Sequence, residues 1–266
     1  MPRRFIGLTI ALLPGLPIAF ATGLQPETKE AFDRYVRMVE TRVDRRLASR
    51  RSLWLDEDNG RLKALHAGQI LAQPVASANR PPVPHGLIHD WLGAVFIPGV
   101  TLRTVISAVQ DYDHHKVAYV PEVIDSKLLS RSGDDFHVYL RLRKKKVITV
   151  TLNTEHEVRY QPVDATRYRS RSYSTHIAEV ANAGSPGEHE LPVGEDHGFL
   201  WRLYSYWRFE ERDGGVYVEC EAISLTRDVP AGLGWLISPV IRNLPRESLI
   251  ATLTSTRNYS LSFKAR

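Results

Sequence analysis

Several features that often reveal a protein's chemistry are scarce in this sequence of 266 residues. There is one cysteine, Cys220, so no disulfide can form within the chain. Ten histidines are present, but none has the H-E-x-x-H or His-x-His spacing of a metal site. The serine motif G-x-S-x-G is also missing. We therefore expect no metal, no other cofactor and no hydrolase of that type.

Excess charge of one sign is also lacking. The formal net charge is +5, and the basic residues are mixed with acidic ones. Proteins that bind nucleic acid concentrate their positive charge in a patch or stripe, so we expect no nucleic-acid partner. The basic run at 141–146 resembles a phosphate or lipid-headgroup patch, but a solvated hairpin tip is the favoured interpretation.

The only long apolar run lies at the start of the chain. Arg3 and Arg4 precede an apolar stretch at 5–20, and Ala19-Phe20-Ala21 has the small residues of a cleavage site. A membrane anchor is the alternative, but the run is short and contains two prolines. The prediction is a signal peptide at 1–21, cleaved after Ala21, and a periplasmic protein.

The periodicity of apolar residues predicts an α+β protein. A helix is expected over 24–51, in an N-terminal helical segment of 22–60 that precedes a domain of 61–266. Strands are expected over 62–75 and 85–98, a short helix follows from Thr101, and alternating strands continue to 227. Pro239 and Pro245 are expected to divide the C-terminal helical region in two.

The segment 199–227 predicts a β-hairpin with its turn at Asp213-Gly214 or Gly214-Gly215. Either turn places Trp207, Cys220 and Ala222 on one face and Arg208, Glu219 and Glu221 on the other. The two glutamates are spaced as an acid–base pair would be, but ion pairing with Arg208 on an outer face is favoured. Cys220 is expected to be buried and unreactive.

The inner face of this hairpin mixes very large and very small side chains. A solid core can have this composition by interdigitation, and so can the wall of a ligand cavity. Composition alone leaves both interpretations open.

The chain resembles the START-like, or helix-grip, superfamily, which includes polyketide cyclase/dehydrase-like proteins and START lipid-transfer domains. The segments that carry the resemblance are 89–99, 102–109, 119–123, 206–209 and 219–230. They look like those of exported bacterial members of unassigned function. The resemblance implies a curved antiparallel sheet around a long C-terminal helix, with an apolar cavity between them.

On this basis the expected function is binding, or transport, of a hydrophobic or amphipathic small molecule or lipid, with transient membrane contact as a further option. The residues expected to form the cavity wall are Trp91, Phe96, Tyr119, Trp201, Ser205, Trp207, Cys220, Ala222 and Ser224. One alternative is a cyclase/dehydrase-type enzyme that uses His156, His176 or Tyr139. The other is an envelope interaction module with a filled core.

Overall fold

A computed structural model describes residues 23–47, 53–75, 82–145, 149–228 and 234–264. The predicted signal sequence and its cleavage site lie outside these residues. The helices, in chain order, are α1 (Pro26–Leu47), α2 (Asn59–His66), α3 (Leu102–Val109), α4 (His115–Ala118) and α5 (Gly234–Lys264). No described helix is long and apolar enough to cross a membrane.

A single antiparallel sheet occupies the middle of the chain. Its strands are β1 (Leu71–Pro74), β2 (Gly86–Pro98), β3 (Val123–Ser132), β4 (Asp135–Lys145), β5 (Thr149–Pro162), β6 (Arg167–Ala181), β7 (His189–Glu190), β8 (Arg202–Arg212) and β9 (Gly215–Arg227). Their spatial order is β1-β2-β9-β8-β6-β5-β4-β3, with the short β7 paired to β6. Each pairing is antiparallel. Because each strand in this order is hydrogen-bonded to the next, the strands form one continuous layer, which bends around α5.

The long C-terminal helix packs on the inner face of this sheet. Leu249 and Leu253 of α5 are buried and approach β2 at Gly93. A Cβ atom at Gly93 would lie 2.8 Å from Leu253 Cδ1 and from the Leu71 carbonyl oxygen, so a larger residue would push the helix away. This arrangement confirms the predicted α+β class and the helix-grip layout.

Two sequence-based assignments are wrong. The stretch expected to be one strand over 62–75 begins within helix α2, which ends at His66, and only Leu71–Pro74 is a strand. The C-terminal region is one helix that continues through Pro239 and Pro245. A proline inside a helix costs about 3 kcal/mol. The buried contacts of Leu249 and Leu253 with the sheet offset this cost.

The N-terminal helix covers the outer face of the sheet, a packing that the sequence left undecided. Phe32, Tyr35 and Val36 of α1 pack with Tyr206 and Ile223 of the hairpin. A second group around Leu53, Trp54 and Leu55 covers the outer face beside β2, together with Leu92 and Tyr217. The part of the sheet formed by β2, β8 and β9 is therefore buried on both faces, although its strands alternate in the pattern that a half-exposed sheet shows.

Candidate functional site

The hairpin of β8 and β9 forms the centre of the inner wall. Asp213 and Gly214 make its turn with φ of 55° and 76°, the left-handed values that such a two-residue turn needs. In the resulting register Trp207 pairs with Cys220 and Ser205 with Ala222. The division of the hairpin into two faces is therefore confirmed.

A cavity of about 740 Å³ lies between the inner face of the sheet and α5. Pockets for small molecules have volumes of about 300–1,000 Å³. Most of the lining is apolar, including Val138, Leu140, Leu152, Val158, Leu203, Trp207, Phe209, Ala222 and Leu249. The mixture of large and small side chains on the hairpin thus forms part of a cavity wall.

The structure brings together six of the nine residues expected in the wall. Those lining the cavity are Tyr119, Ser205, Trp207, Cys220, Ala222 and Ser224. Trp91 is not among the lining residues; it packs, partly buried, against the core cluster of the inner face.

Phe96 and Trp201 lie on the other side of the sheet. Phe96 belongs to the outer cluster with Tyr217, because it is separated from Trp91 by an odd number of positions along an unbroken strand. Trp201 precedes the first residue of β8 and packs in the cluster of α1. Its indole Nε1 donates to Asp196 Oδ1 at 2.9 Å.

The charged residues of the lining lie at one end of the sheet. A row of paired residues crosses this end, from Val123 to Leu142, Leu152 and Glu179. Beside this row are the charged residues of the described part of the lining, namely Glu122, Lys144, Glu195, Arg227 and Asp228. Each is exposed or half-exposed, so this end is the rim through which the cavity meets solvent.

A buried carboxylate holds part of this rim in place. Glu179 is 6% exposed and accepts hydrogen bonds from the backbone N–H groups of His197 at 3.0 Å and Phe199 at 3.2 Å. The His197 ring lies 2.8 Å from the second oxygen of Glu179. The sequence analysis did not single out Glu179. A glutamate within an alternating strand could have indicated a buried carboxylate.

The opposite, deep end of the cavity contains two phenols and a histidine. Tyr112 and Tyr160 are hydrogen-bonded to each other at 2.8 Å, and burial raises the pKa of both. The His115 ring contacts Tyr112 at a tilt of 45°, with centroids 4.7 Å apart. Burial lowers the pKa of His115 to about 4, so its ring is neutral at pH 7. The sequence did not single out Tyr112 and His115, because short helical turns give no periodic signal, and it gave no sign that Tyr160 of β5 meets them.

His156 is the one member of the proposed catalytic trio that lines the cavity. It is 4% exposed and its Nε2 lies 3.1 Å from Thr154 Oγ1, so it is a buried, hydrogen-bonded histidine. Burial lowers its pKa to about 4, so it is a weak base at pH 7. Tyr139 and His176 do not line the cavity and instead contact Asn153 and Glu190.

Cys220 is buried in the wall, as expected. Its side chain is enclosed by the inner-face core cluster, and burial raises the pKa of its thiol. A thiol without an accessible thiolate is a poor nucleophile. Cys220 therefore acts here as a small apolar side chain.

The two glutamates lie on the outer face, but they are not exposed to solvent. Glu219 and Glu221 are 0% and 1% exposed, because α1 and the segment around Trp54 cover them. Arg208 Nε donates to Glu219 Oε1 at 2.6 Å, and Glu221 is paired with Arg42 of α1. The ion pair with Arg208 is thus present, but it is part of a buried polar network.

No protein-family model and no curated protein sequence matches the chain. Solved structures do. A STAR-related lipid transfer protein from Xanthomonas axonopodis is 16% identical, with a TM-score of 0.44, over 70% of this chain and 98% of that one. Human STARD10 is 11% identical, with a TM-score of 0.45, over 78% of this chain and 81% of that one.

The Zhui aromatase/cyclase from Streptomyces sp. R1128 is 10% identical, with a TM-score of 0.45, over 68% of this chain and 97% of that one. Lipid-transfer proteins and aromatase/cyclases are the groups that the resemblance in the sequence named. These TM-scores are below 0.5, so the assignment of the fold rests on the sheet and helix described above and not on these comparisons.

Proposed function

We propose that this protein binds a hydrophobic or amphipathic small molecule, such as a lipid, in the cavity between the sheet and α5. The observation that carries the proposal is the cavity of about 740 Å³, mostly apolar inside and with the formal charges of its described lining residues at the rim. An amphiphile fits this distribution when its apolar part lies inside and its polar part lies at the rim.

The size of the cavity argues against the filled-core alternative. Protein interiors are packed as densely as organic crystals, with few voids larger than a water molecule. Here small side chains such as Ala222, Ser205 and Ser224 leave space between Trp207 and the helix. Apolar walls offer water few partners, so an apolar ligand is the better occupant.

Native mass spectrometry of the full protein, purified without detergent, tests this proposal. We expect a reproducible mass excess that disappears on organic extraction and is recovered in the extract as one class of hydrophobic molecule. Protein that is always found empty, and that also fails to bind added Nile red, would contradict the proposal.

The exposed apolar residues at the rim support transient contact with a membrane. Val120 and Phe199 both line the cavity, yet they are 61% and 41% exposed. We expect Val120→Ser and Phe199→Ser to reduce sedimentation with phosphatidylcholine vesicles. Val163→Ser is the matched control, since Val163 is 36% exposed and follows β5 at the far end of the sheet. Equal sedimentation of all variants would contradict membrane contact at the rim.

The predicted signal at 1–21 supports a periplasmic location for this binding. Cell fractionation followed by N-terminal sequencing tests it, and the expected first residue is Thr22. Full-length protein retained in the cytoplasmic fraction would contradict export.

A further inference from the structure

Two serine hydroxyls lie side by side in the middle of the cavity wall. Ser172 of β6 pairs with Ser205 of β8, which in turn pairs with Ala222 of β9. All three residues line the cavity. Residues paired in this way share one face of the sheet, with Cβ atoms about 5 Å apart. The hydroxyls of Ser172 and Ser205 are therefore neighbours on the inner face.

This serine pair lies inside the rim and is open to the cavity. Its row crosses β9 at Ala222, which is about 16 Å along the strand from Arg227 at the rim. Ser172 and Ser205 are both partly exposed, although β6 and β8 each have a neighbouring strand on either side. The space that these inner-face side chains adjoin is the cavity. A bound molecule can therefore reach both hydroxyls.

The protein leaves the hydrogens of this serine pair unused. Ser205 Oγ accepts a hydrogen bond from Trp207 Nε1 at 3.1 Å, so its own hydrogen remains to be donated. Among the described residues, no group accepts the hydrogen of Ser205 or of Ser172. Ser224, which lies diagonally across from Ser205 and is 9% exposed, also lines the cavity without a side-chain partner in the described part of the chain. The wall thus offers hydrogen-bond donors to a ligand.

These donors restrict what can occupy the middle of the cavity. A purely hydrocarbon chain would displace water from the two hydroxyls and leave their hydrogens unsatisfied, which weakens binding. A charged group would have to leave water without an opposite charge beside it, since the charged residues of the described lining lie at the rim. An uncharged oxygen with two lone pairs, by contrast, can accept from both hydroxyls.

We infer that the ligand is an amphiphile whose apolar part carries an uncharged carbonyl oxygen, as in a ketone or an ester, that accepts hydrogen bonds from Ser172 and Ser205. This inference rests on the proposed function and narrows its ligand class. A carbonyl oxygen has no hydrogen of its own. It therefore requires no acceptor from the apolar side chains of the same row, Val158 and Ala222.

A matched set of fatty acids tests the inference. Nile red bound to the full protein is displaced with stearic acid or with its derivatives that carry a keto group at carbon 6, 9 or 12. All four acids share the carboxylate, so differences between them report on the keto group. In a uniformly apolar cavity each keto group would weaken binding, because it must leave water. We expect at least one keto acid to bind about ten-fold more tightly than stearic acid.

Serine variants locate the origin of this preference. Ser172→Ala/Ser205→Ala should abolish it, so that stearic acid binds at least as tightly as every keto acid. Ser248→Ala is the matched control. Ser248 of α5 lines the same cavity, but its hydroxyl already donates to the Leu244 carbonyl at 2.9 Å, so this variant should keep the preference.

Keto acids that bind the wild-type protein no more tightly than stearic acid would overturn the inference. So would a keto preference of wild-type size in Ser172→Ala/Ser205→Ala. Failure of Nile red and of all four acids to bind would instead contradict the proposed function, which separates the two failures.

An infrared measurement on the wild-type protein decides the matter if the double variant does not fold. A hydrogen bond weakens the carbonyl bond of the keto group and lowers its stretching frequency. We expect the tightest-binding keto acid to absorb at a lower frequency in the protein than in a hydrocarbon solvent. The same frequency in both surroundings would overturn the inference.

Discussion

At the scale of single residues, Arg208 and Glu219 form a buried ion pair on the outer face of the sheet. Glu219 accepts from Arg208 at 2.6 Å and from the Trp54 backbone N–H at 2.7 Å, and both charged residues are at most 2% exposed. Burial raises the pKa of Glu219, an effect that the guanidinium of Arg208 opposes. The pair is therefore costly to break, because removal of either side chain would leave the other charge buried and unpaired.

We predict that Arg208→Met lowers the free energy of unfolding by about 3–5 kcal/mol. The double variant Arg208→Met/Glu219→Met should recover most of this loss, since no unpaired charge then remains. Urea denaturation followed by circular dichroism measures both. A double variant no more stable than Arg208→Met would contradict the assignment of the cost to an uncompensated carboxylate.

The buried histidines predict a dependence of stability on pH. Burial lowers the pKa of His156 to about 4 in the folded protein, whereas the unfolded value is near 6.5. Between these values the unfolded chain binds more protons, so stability falls as the pH falls from about 6.5 to about 4. The difference corresponds to about 3 kcal/mol.

This histidine effect is measured by urea denaturation at pH 7 and at pH 4.5. From pH 7 to pH 4.5, His156→Gln should lose less stability than the wild-type protein does. His176→Gln is the control, because the side chain of His176 is 45% exposed, and it should behave like the wild type. If His156→Gln lost as much stability between pH 7 and pH 4.5 as the wild-type protein, His156 would not be a buried, neutral side chain in the folded protein.

At the scale of elements, α1 is an integral layer of the fold. Phe32 is 0% exposed and meets Tyr204 edge-on, with ring centroids 5.2 Å apart. We predict that Phe32→Ala costs about 3–5 kcal/mol in unfolding free energy, while Met38→Ala, at a residue that is 42% exposed, costs less than about 0.5 kcal/mol. Similar urea midpoints for the two variants would mean that α1 is not docked in solution.

Periodicity in the sequence predicted the elements whose burial repeats regularly. Strand β2 and the face assignment of the hairpin follow from alternation and the Asp213-Gly214 turn. The burial of Glu219 and Glu221 could not be predicted, because it depends on α1, which is distant in the sequence and covers them. The same limit applies to the deep end of the cavity, where Tyr112 and Tyr160 meet across 48 residues of chain.

Predictions from the sequence also failed where two residues on opposite faces of one strand were assigned to the same cavity wall. Trp91 and Phe96 are an odd number of positions apart in β2, so they cannot line the same face of an unbroken strand. The parity rule that divided the hairpin correctly would have excluded Phe96. Trp201 obeys that parity, but it precedes the strand, and its bond to Asp196 turns the indole to the outer cluster.

At the scale of the whole molecule, the two faces of the sheet have different tasks. Over β2, β8 and β9 the outer face is closed by α1 and the segment around Trp54, and its buried carboxylate Glu219 is paired with Arg208. The inner face is held apart from α5, so that a cavity of about 740 Å³ remains, open at the charged rim. Stability thus comes from both faces, and the binding that we propose belongs to the inner one.

The most direct test of this account is a Nile red titration of a variant whose cavity is filled. Ala222 lines the cavity beside Trp207, whereas Ala165 lies exposed in the turn between β5 and β6. The account predicts that Ala222→Phe weakens Nile red binding at least ten-fold while Ala165→Phe leaves it unchanged, both variants being folded by circular dichroism. Unchanged binding by folded Ala222→Phe would contradict a ligand site between the sheet and the C-terminal helix.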